Sequence, residues 1–222
     1  MMSYINTDFS SFSNGNTKNT DTLFLIDRFF GYTCRQEDTS KGLIPMTKPT
    51  ASFWIHELLL QPHAEGGYFR ETGHSPELIV TEDRRERYLY SNILFLLTAD
   101  NPSHFHRLKS DEAWYFHEGS TLTIHLLYPD GRYEAVKMGR HPEKGELFQF
   151  TVPKGVIFGS SVTGSSGDYA LVSCMVSPGF DYRDFELLPY DELIKVYPDY
   201  GSILEKLAYK KLPEASFRKD NV

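Results

Sequence analysis

The chain has 222 residues, 40% of them hydrophobic and 24% charged, which is the balance of an ordinary globular protein with enough apolar material for a sizeable core. A formal net charge of -7 leaves no electrostatic footprint for phosphate backbones and excludes nucleic acid as the expected partner. No stretch approaches the ~20 apolar residues of a membrane span, and the first residues lack a basic region followed by an apolar core, so neither a membrane segment nor a secretory signal is expected and the reading is cytoplasmic.

Residues 1–50 form an N-terminal extension. Its start is rich in Ser, Asn and Thr and is expected to be disordered in part, Leu23–Phe30 is apolar, and Gly42–Pro49 looks like a linker. Thr50 to Leu60 predicts a short helix, capped by Thr50 and carrying Phe53, Trp54, Glu57 and Leu58 at helical spacing.

From Gly66 to Pro178 the pattern changes to short strands separated by turn signals. The expected strands are Gly67–Thr72, Tyr88–Leu97, Glu112–His117, Thr121–Tyr128, Tyr133–Met138, Leu147–Val152, Ile157–Val162 and Tyr169–Val176. Pro129-Asp130-Gly131 makes Thr121–Met138 a hairpin, and the short Gly119-Ser120 link predicts that Glu112–His117 and Thr121–Tyr128 are adjacent antiparallel strands. The basic run Arg84-Arg85-Glu86-Arg87 reads as a solvated loop. Residues 189–222 return to a helical period, with helices over Asp191–Val196 and Ser202–Tyr209. Cys34 and Cys174 have no metal-type spacing and make no disulfide framework; Cys174 reads as a buried, inert thiol.

The stretch Ser103 to Gly119 carries chemistry. His104 and His106, two apart on extended chain, share a face, and Glu112 opens the strand that follows. If the chain turns between them, two imidazoles and a carboxylate converge, which is a ligand set for one divalent Fe, Mn, Ni or Zn ion. The plainer alternative is a pair of surface or hydrogen-bonded histidines. Trp114 and Phe116 share the face of Glu112, an aromatic wall suited to a small molecule.

The HxH, Glu, Gly order of His104, His106, Glu112 and Gly119 resembles the first motif of the cupin superfamily. The gap Arg107 to Asp111 is longer than the family's usual spacing. The second motif is present as Pro153-Lys-Gly155, but Phe158 stands where the family's fourth metal ligand, a histidine, falls. Four ordered segments resemble one cupin branch catalogued as a domain of unknown function, cupin family five. They begin at His63-Ala-Glu65-Gly-Gly67-Tyr-Phe69-Arg-Glu71, Ser103-His-Phe-His106, Gln149-Phe-Thr-Val-Pro153 and Pro178-Gly-Phe-Asp-Tyr182.

The resemblance implies an all-β fold, a double-stranded β-helix or jelly-roll-like small barrel with short flanking helices. The barrel domain is expected over residues 51–188, and the resemblance also implies a homodimer. The branch is grouped with the dTDP-sugar 3,5-epimerases, whose pocket strand Gly67–Glu71 resembles. That places Phe69, Glu71 and Glu65 on the cavity side, with His104, His106 and Glu71 as candidate catalytic groups. Glu65, Phe69, Glu112, Trp114, Phe116, Gln149 and Phe158 are the candidate ligand-binding residues. Metal is expected to be absent or weakly held, with His104, His106 and Glu112 as its ligands if one is bound. The functional expectation is a small-molecule-binding protein of isomerase or epimerase type acting on a sugar-like or carbonyl-bearing ligand. The alternatives are a metal-dependent oxygenase or decarboxylase, and a non-catalytic metabolite-binding module.

Overall fold

The structure, a computed structural model, describes residues 48–213. The expectations for residues 1–47, Cys34 among them, and for the tail beyond Pro213 lie outside the described residues.

Helix α1 (Ala51–Glu57) starts where Thr50 accepts a hydrogen bond from the Phe53 amide at 3.2 Å. Thirteen strands, numbered in chain order, follow among the described residues. One sheet runs β1 (Gln61–Pro62), β2 (Tyr68–His74), β5 (Ser91–Thr98), β12 (Tyr169–Ser177), β7 (Asp111–Gly119), β10 (Gln149–Val152). The other runs β13 (Glu186–Leu187), β6 (Ser103–Arg107), β11 (Ile157–Val162), β8 (Leu122–Leu127), β9 (Tyr133–Met138). A separate pair, β3 (Leu78–Val80) and β4 (Glu86–Tyr88), stands apart from both.

The inner faces of the two sheets enclose one apolar core. Phe95, Leu97, Trp114, Leu122, Ile124, Leu126 and Phe158 are almost wholly removed from water. Each such side chain contributes about 1.5–3 kcal/mol by burial, which is what holds the sheets face to face. Alternation sends their neighbours outward, where helices cover them. Leu96 and Leu171 lie under α1, whose Trp54 indole also donates to the Tyr169 hydroxyl at 2.9 Å. Phe105, Leu127 and Ile157 lie under α2 (Tyr190–Val196) and α3 (Gly201–Leu207), through Leu193, Leu204 and Leu207. The barrel is thus apolar on both sides of its central strands, as the short apolar runs of the sequence imply.

β8 and β9 form the hairpin expected around Pro129-Asp130-Gly131. The expectation that β7 and β8 are neighbours is wrong. β7 pairs with β12 and β10, while β8 pairs with β11 and β9 in the opposite sheet. Gly119-Ser120 carries the chain across the barrel: Gly119 has φ 107°, and the Ser120 amide is held by the Tyr169 carbonyl at 2.8 Å.

The basic run also departs from the solvated-loop reading. Arg87 is buried, and Arg85 and Arg87 both donate to the buried carboxylate of Asp184, with Arg87 also donating to the Gly179 carbonyl. Periodicity could not show this, because the partner lies about a hundred residues away.

A Cβ at Gly119 would sit 2.1 Å from the Tyr169 carbonyl oxygen, at a φ that L side chains avoid. Gly119→Ala should therefore cost more than about 2 kcal/mol of stability, read as a lowered urea midpoint. An unchanged midpoint would contradict the sheet-to-sheet crossing.

Candidate functional site

Register builds the floor of a cavity from one face of the larger sheet. Phe69 pairs across from Phe95 and Glu71 from Ile93. Cys174 pairs across from Ile93, and Val176 from Glu112. β6 supplies His106 from the other sheet, and the segment after β12 supplies Phe180 and Tyr182. The enclosed volume is about 380 Å³, room for a small metabolite.

Glu65 projects into this cavity from the turn between β1 and β2. Gly66 there has φ 110°, and a Cβ on it would meet the Pro102 carbonyl oxygen at 2.0 Å, so only glycine lets the turn press against the start of β6. The Glu65 carbonyl accepts both the His104 amide and the His104 Nδ1–H, each at 2.7 Å. Its carboxylate accepts the Ser103 hydroxyl at 2.7 Å and lies 3.3 Å from His63 Nδ1 and 3.4 Å from His106 Nε2. Burial alone would raise its pKa, but His106, then His63, then the hydrogen bonds from His63 and Ser103, bring it down to about 2. Glu65 is an anion held inside the barrel.

His106 is fixed by its other nitrogen. Nδ1 lies 2.8 Å from the His104 carbonyl, which can only accept, so Nδ1 carries the proton. Burial lowers the ring's pKa against the opposing pull of Glu65. In the neutral ring the Nε2 lone pair faces the Glu65 carboxylate and the cavity.

Glu112 takes the opposite state. Burial, reinforced by the charge of Glu65, raises its pKa to about 8, and the nearby Trp114 and Cys174 only partly oppose this. Its Oε2 is buried without a hydrogen-bond partner, as is Trp114 Nε1. Two carboxyls thus share one cavity with opposite protonation at neutral pH. Cys174 beside them is buried, and its pKa is driven up by burial and then by Glu112 and Glu65.

The sequence-predicted residues divide accordingly. Glu65, Phe69, Glu112 and His106 face the cavity. Glu71 reaches only its rim, exposed and paired with His74 at 2.8 Å. His104 does not line it: hydrogen bonding to Glu65 and stacking on Tyr209, ring centroids 3.7 Å apart, hold its imidazole elsewhere. Trp114, Phe116 and Phe158 belong to the packed core and not to the cavity wall. Gln149 is exposed, while its neighbour Phe150 packs on the core, so the inward Gln149 is a register error of one residue. His117 bonds Ser173 on the outer face. His63, Phe180 and Tyr182 went unassigned although their segments carried the family resemblance; the signal was that separate segments of one pattern have to meet somewhere.

A family model described as Cupin superfamily (DUF985) matches residues 52–188. The chain belongs to the cupin superfamily. An uncharacterized protein of Saccharomyces cerevisiae is 31% identical over 78% of this chain and 94% of its own. Among solved structures, a hypothetical protein from Leishmania major is 45% identical, covering 72% of this chain and 99% of that one, with a TM-score of 0.67. Protein SO0799 from Shewanella oneidensis is 40% identical, covering 74% and 100%, with a TM-score of 0.68.

The metal that cupin membership suggests does not fit the three residues expected to hold it here. His104 is engaged outside the cavity, and the Phe158 ring, 4.1 Å from that of His106, stands at the position of the fourth ligand. Among the described residues no group of three or more His, Cys, Asp or Glu side chains is arranged as metal ligands.

The raised pKa of Glu112 has a sign that can be checked. The folded state keeps a proton that the unfolded chain releases near 4.5, so this group's contribution to stability falls as pH rises from about 4.5 to about 8 and is flat above. The slope approaches about 1.4 kcal/mol per pH unit. Glu112→Gln, set equal to wild type near pH 4, should exceed it at pH 9 by about 4–5 kcal/mol in urea unfolding. Parallel curves for the two proteins would show that Glu112 is ionised when folded.

Proposed function

We propose that this cupin is a small-molecule enzyme of isomerase or epimerase type, moving a proton on a carbonyl-bearing, sugar-like ligand held in the barrel. The observation that carries the reading is the pair of carboxyls driven to opposite protonation across one cavity, the arrangement that assigns an acid and a base. His106 Nε2, backed by the Glu65 carboxylate, is the base that removes the proton from the carbon next to the carbonyl. Glu112 donates its proton to the carbonyl oxygen, giving a neutral enol. Where the carbon that lost its proton carries a hydroxyl, return of the proton from His106 to the former carbonyl carbon, while Glu112 takes the proton of that hydroxyl, gives the isomer. An epimer forms instead when a second acid delivers a proton to the original carbon from the opposite face, Glu112 taking back the enol proton and His106 keeping the one it removed. The catalytic assignment therefore moves from His104 and Glu71 to His106 and Glu112, with His104 as a positioning residue.

No helix among the described residues is long and apolar enough to cross a membrane. Cytoplasmic location and a homodimer are part of the same proposal; light scattering after size exclusion tests the second.

The test is solvent exchange. Carbonyl-bearing sugars that raise the melting temperature of the protein are incubated with it in D2O, and loss of the proton next to the carbonyl is followed by NMR. Wild type should exchange it, and Glu112→Gln should bind the same ligand while exchanging about 100-fold more slowly, the scale of one general acid. Binding with no exchange in wild type would leave a metabolite-binding module.

A further inference from the structure

The cavity's charge pattern constrains what can enter it, on the reading above that it is a ligand site. Its wall carries three carboxyl groups, Glu65, Glu71 and Glu112, and among the described residues lining it there is no lysine or arginine. The guanidinium groups of Arg85 and Arg87 are committed to Asp184 and the Gly179 carbonyl. A phosphate or carboxylate placed here would meet the buried Glu65 anion without a countercharge, in a medium where like charges interact strongly.

The Glu65 carboxylate keeps acceptor capacity beyond the Ser103 hydroxyl that donates to it. His106 donates through Nδ1 to the His104 carbonyl, leaving Nε2 as a lone pair 3.4 Å from Glu65 Oε2. A group bearing several N–H bonds and a positive charge, set against the Glu65 carboxylate from the cavity side, supplies the countercharge and leaves Nε2 free. Around this point stand the rings of Phe69, Phe95, Phe180 and Tyr182, and His63 packs among them at centroid distances of 4.7–6.3 Å. Aromatic faces attract cations and repel anions.

We propose that the ligand carries a cationic amine that docks against the Glu65 carboxylate, so that the substrate class is an amino-bearing carbonyl compound and not a phosphorylated or nucleotide-linked one. The two ends of the cavity then divide the work. The amine anchors at Glu65, and the carbonyl faces Glu112.

Three probes of one shape and different charge test this: benzylammonium, benzyl alcohol and benzoate, titrated into the full chain by calorimetry. Benzylammonium should bind about tenfold or more tightly than benzyl alcohol, and benzoate about tenfold or more weakly. Glu65→Gln should erase the ranking. Because that variant removes a buried anchor, the second measurement uses wild type: NMR cross-relaxation from the benzylic CH2 of benzylammonium to the His106 ring. Benzoate binding as well as benzylammonium, a ranking that survives in folded Glu65→Gln, absent contacts to His106, or no saturable binding of any probe would each overturn the proposal. These probes have no carbonyl to enolise. A cavity that ranks them as stated but exchanges no substrate proton keeps this inference and loses the isomerase reading, and the reverse result does the opposite.

Discussion

The architecture of this site depends on keeping one carboxylate ionised inside an apolar barrel. An unpaired charge at Glu65 would be too costly to bury, so the surrounding structure is organised to satisfy it. Ser103 donates to it, His63 and His106 face it, and its own backbone carbonyl is stitched to β6 through His104. The glycine turn that carries Glu65 can approach β6 closely enough for this only because Gly66 has no side chain. Glu112, buried in the same space, is kept from ionising at its usual pH first by that burial and then by the like charge of Glu65. Burial and one anchored charge together set the protonation of the site.

The HxH pair shows how a strand's period can be right while its chemistry is reassigned. Two imidazoles at i and i+2 do extend from the same side of β6. But His104 sits at the end of β6 next to the Glu65 turn, where its nitrogen finds a backbone carbonyl and its ring finds Tyr209. His106, further along the strand, meets Phe158 and the cavity. The motif therefore separates into a pin and a working group, a division that depends on what each ring meets in three dimensions.

The barrel was legible because alternation and turn chemistry are local. The strands from Tyr133–Met138 to Tyr169–Val176, the cap at Thr50 and the hairpin at Pro129-Asp130-Gly131 all follow from neighbours in sequence. What was not legible required partners far along the chain. The short Gly119-Ser120 link looked like a hairpin turn, because nothing nearby reveals that the Tyr169 carbonyl lies on its path. Arg85 and Arg87 looked solvated because Asp184 is distant. Gln149 was expected among the ligand-binding residues, but β10 begins at Gln149 and Phe150 takes the core side. His63 and Tyr182 could have been found only by asking where the family-like segments converge.

The cluster of Arg85, Arg87 and Asp184 joins β4, which ends in the cavity-lining Tyr88, to the loop that carries Phe180 and Tyr182. Two segments of the cavity wall are therefore tied to each other by one set of charges. Breaking a buried ion pair from one side costs about 3–5 kcal/mol, far more than rotating an aromatic ring. Tyr88 on one segment and Phe180 and Tyr182 on the other accordingly adjust to a ligand by turning their rings more readily than by parting their backbones.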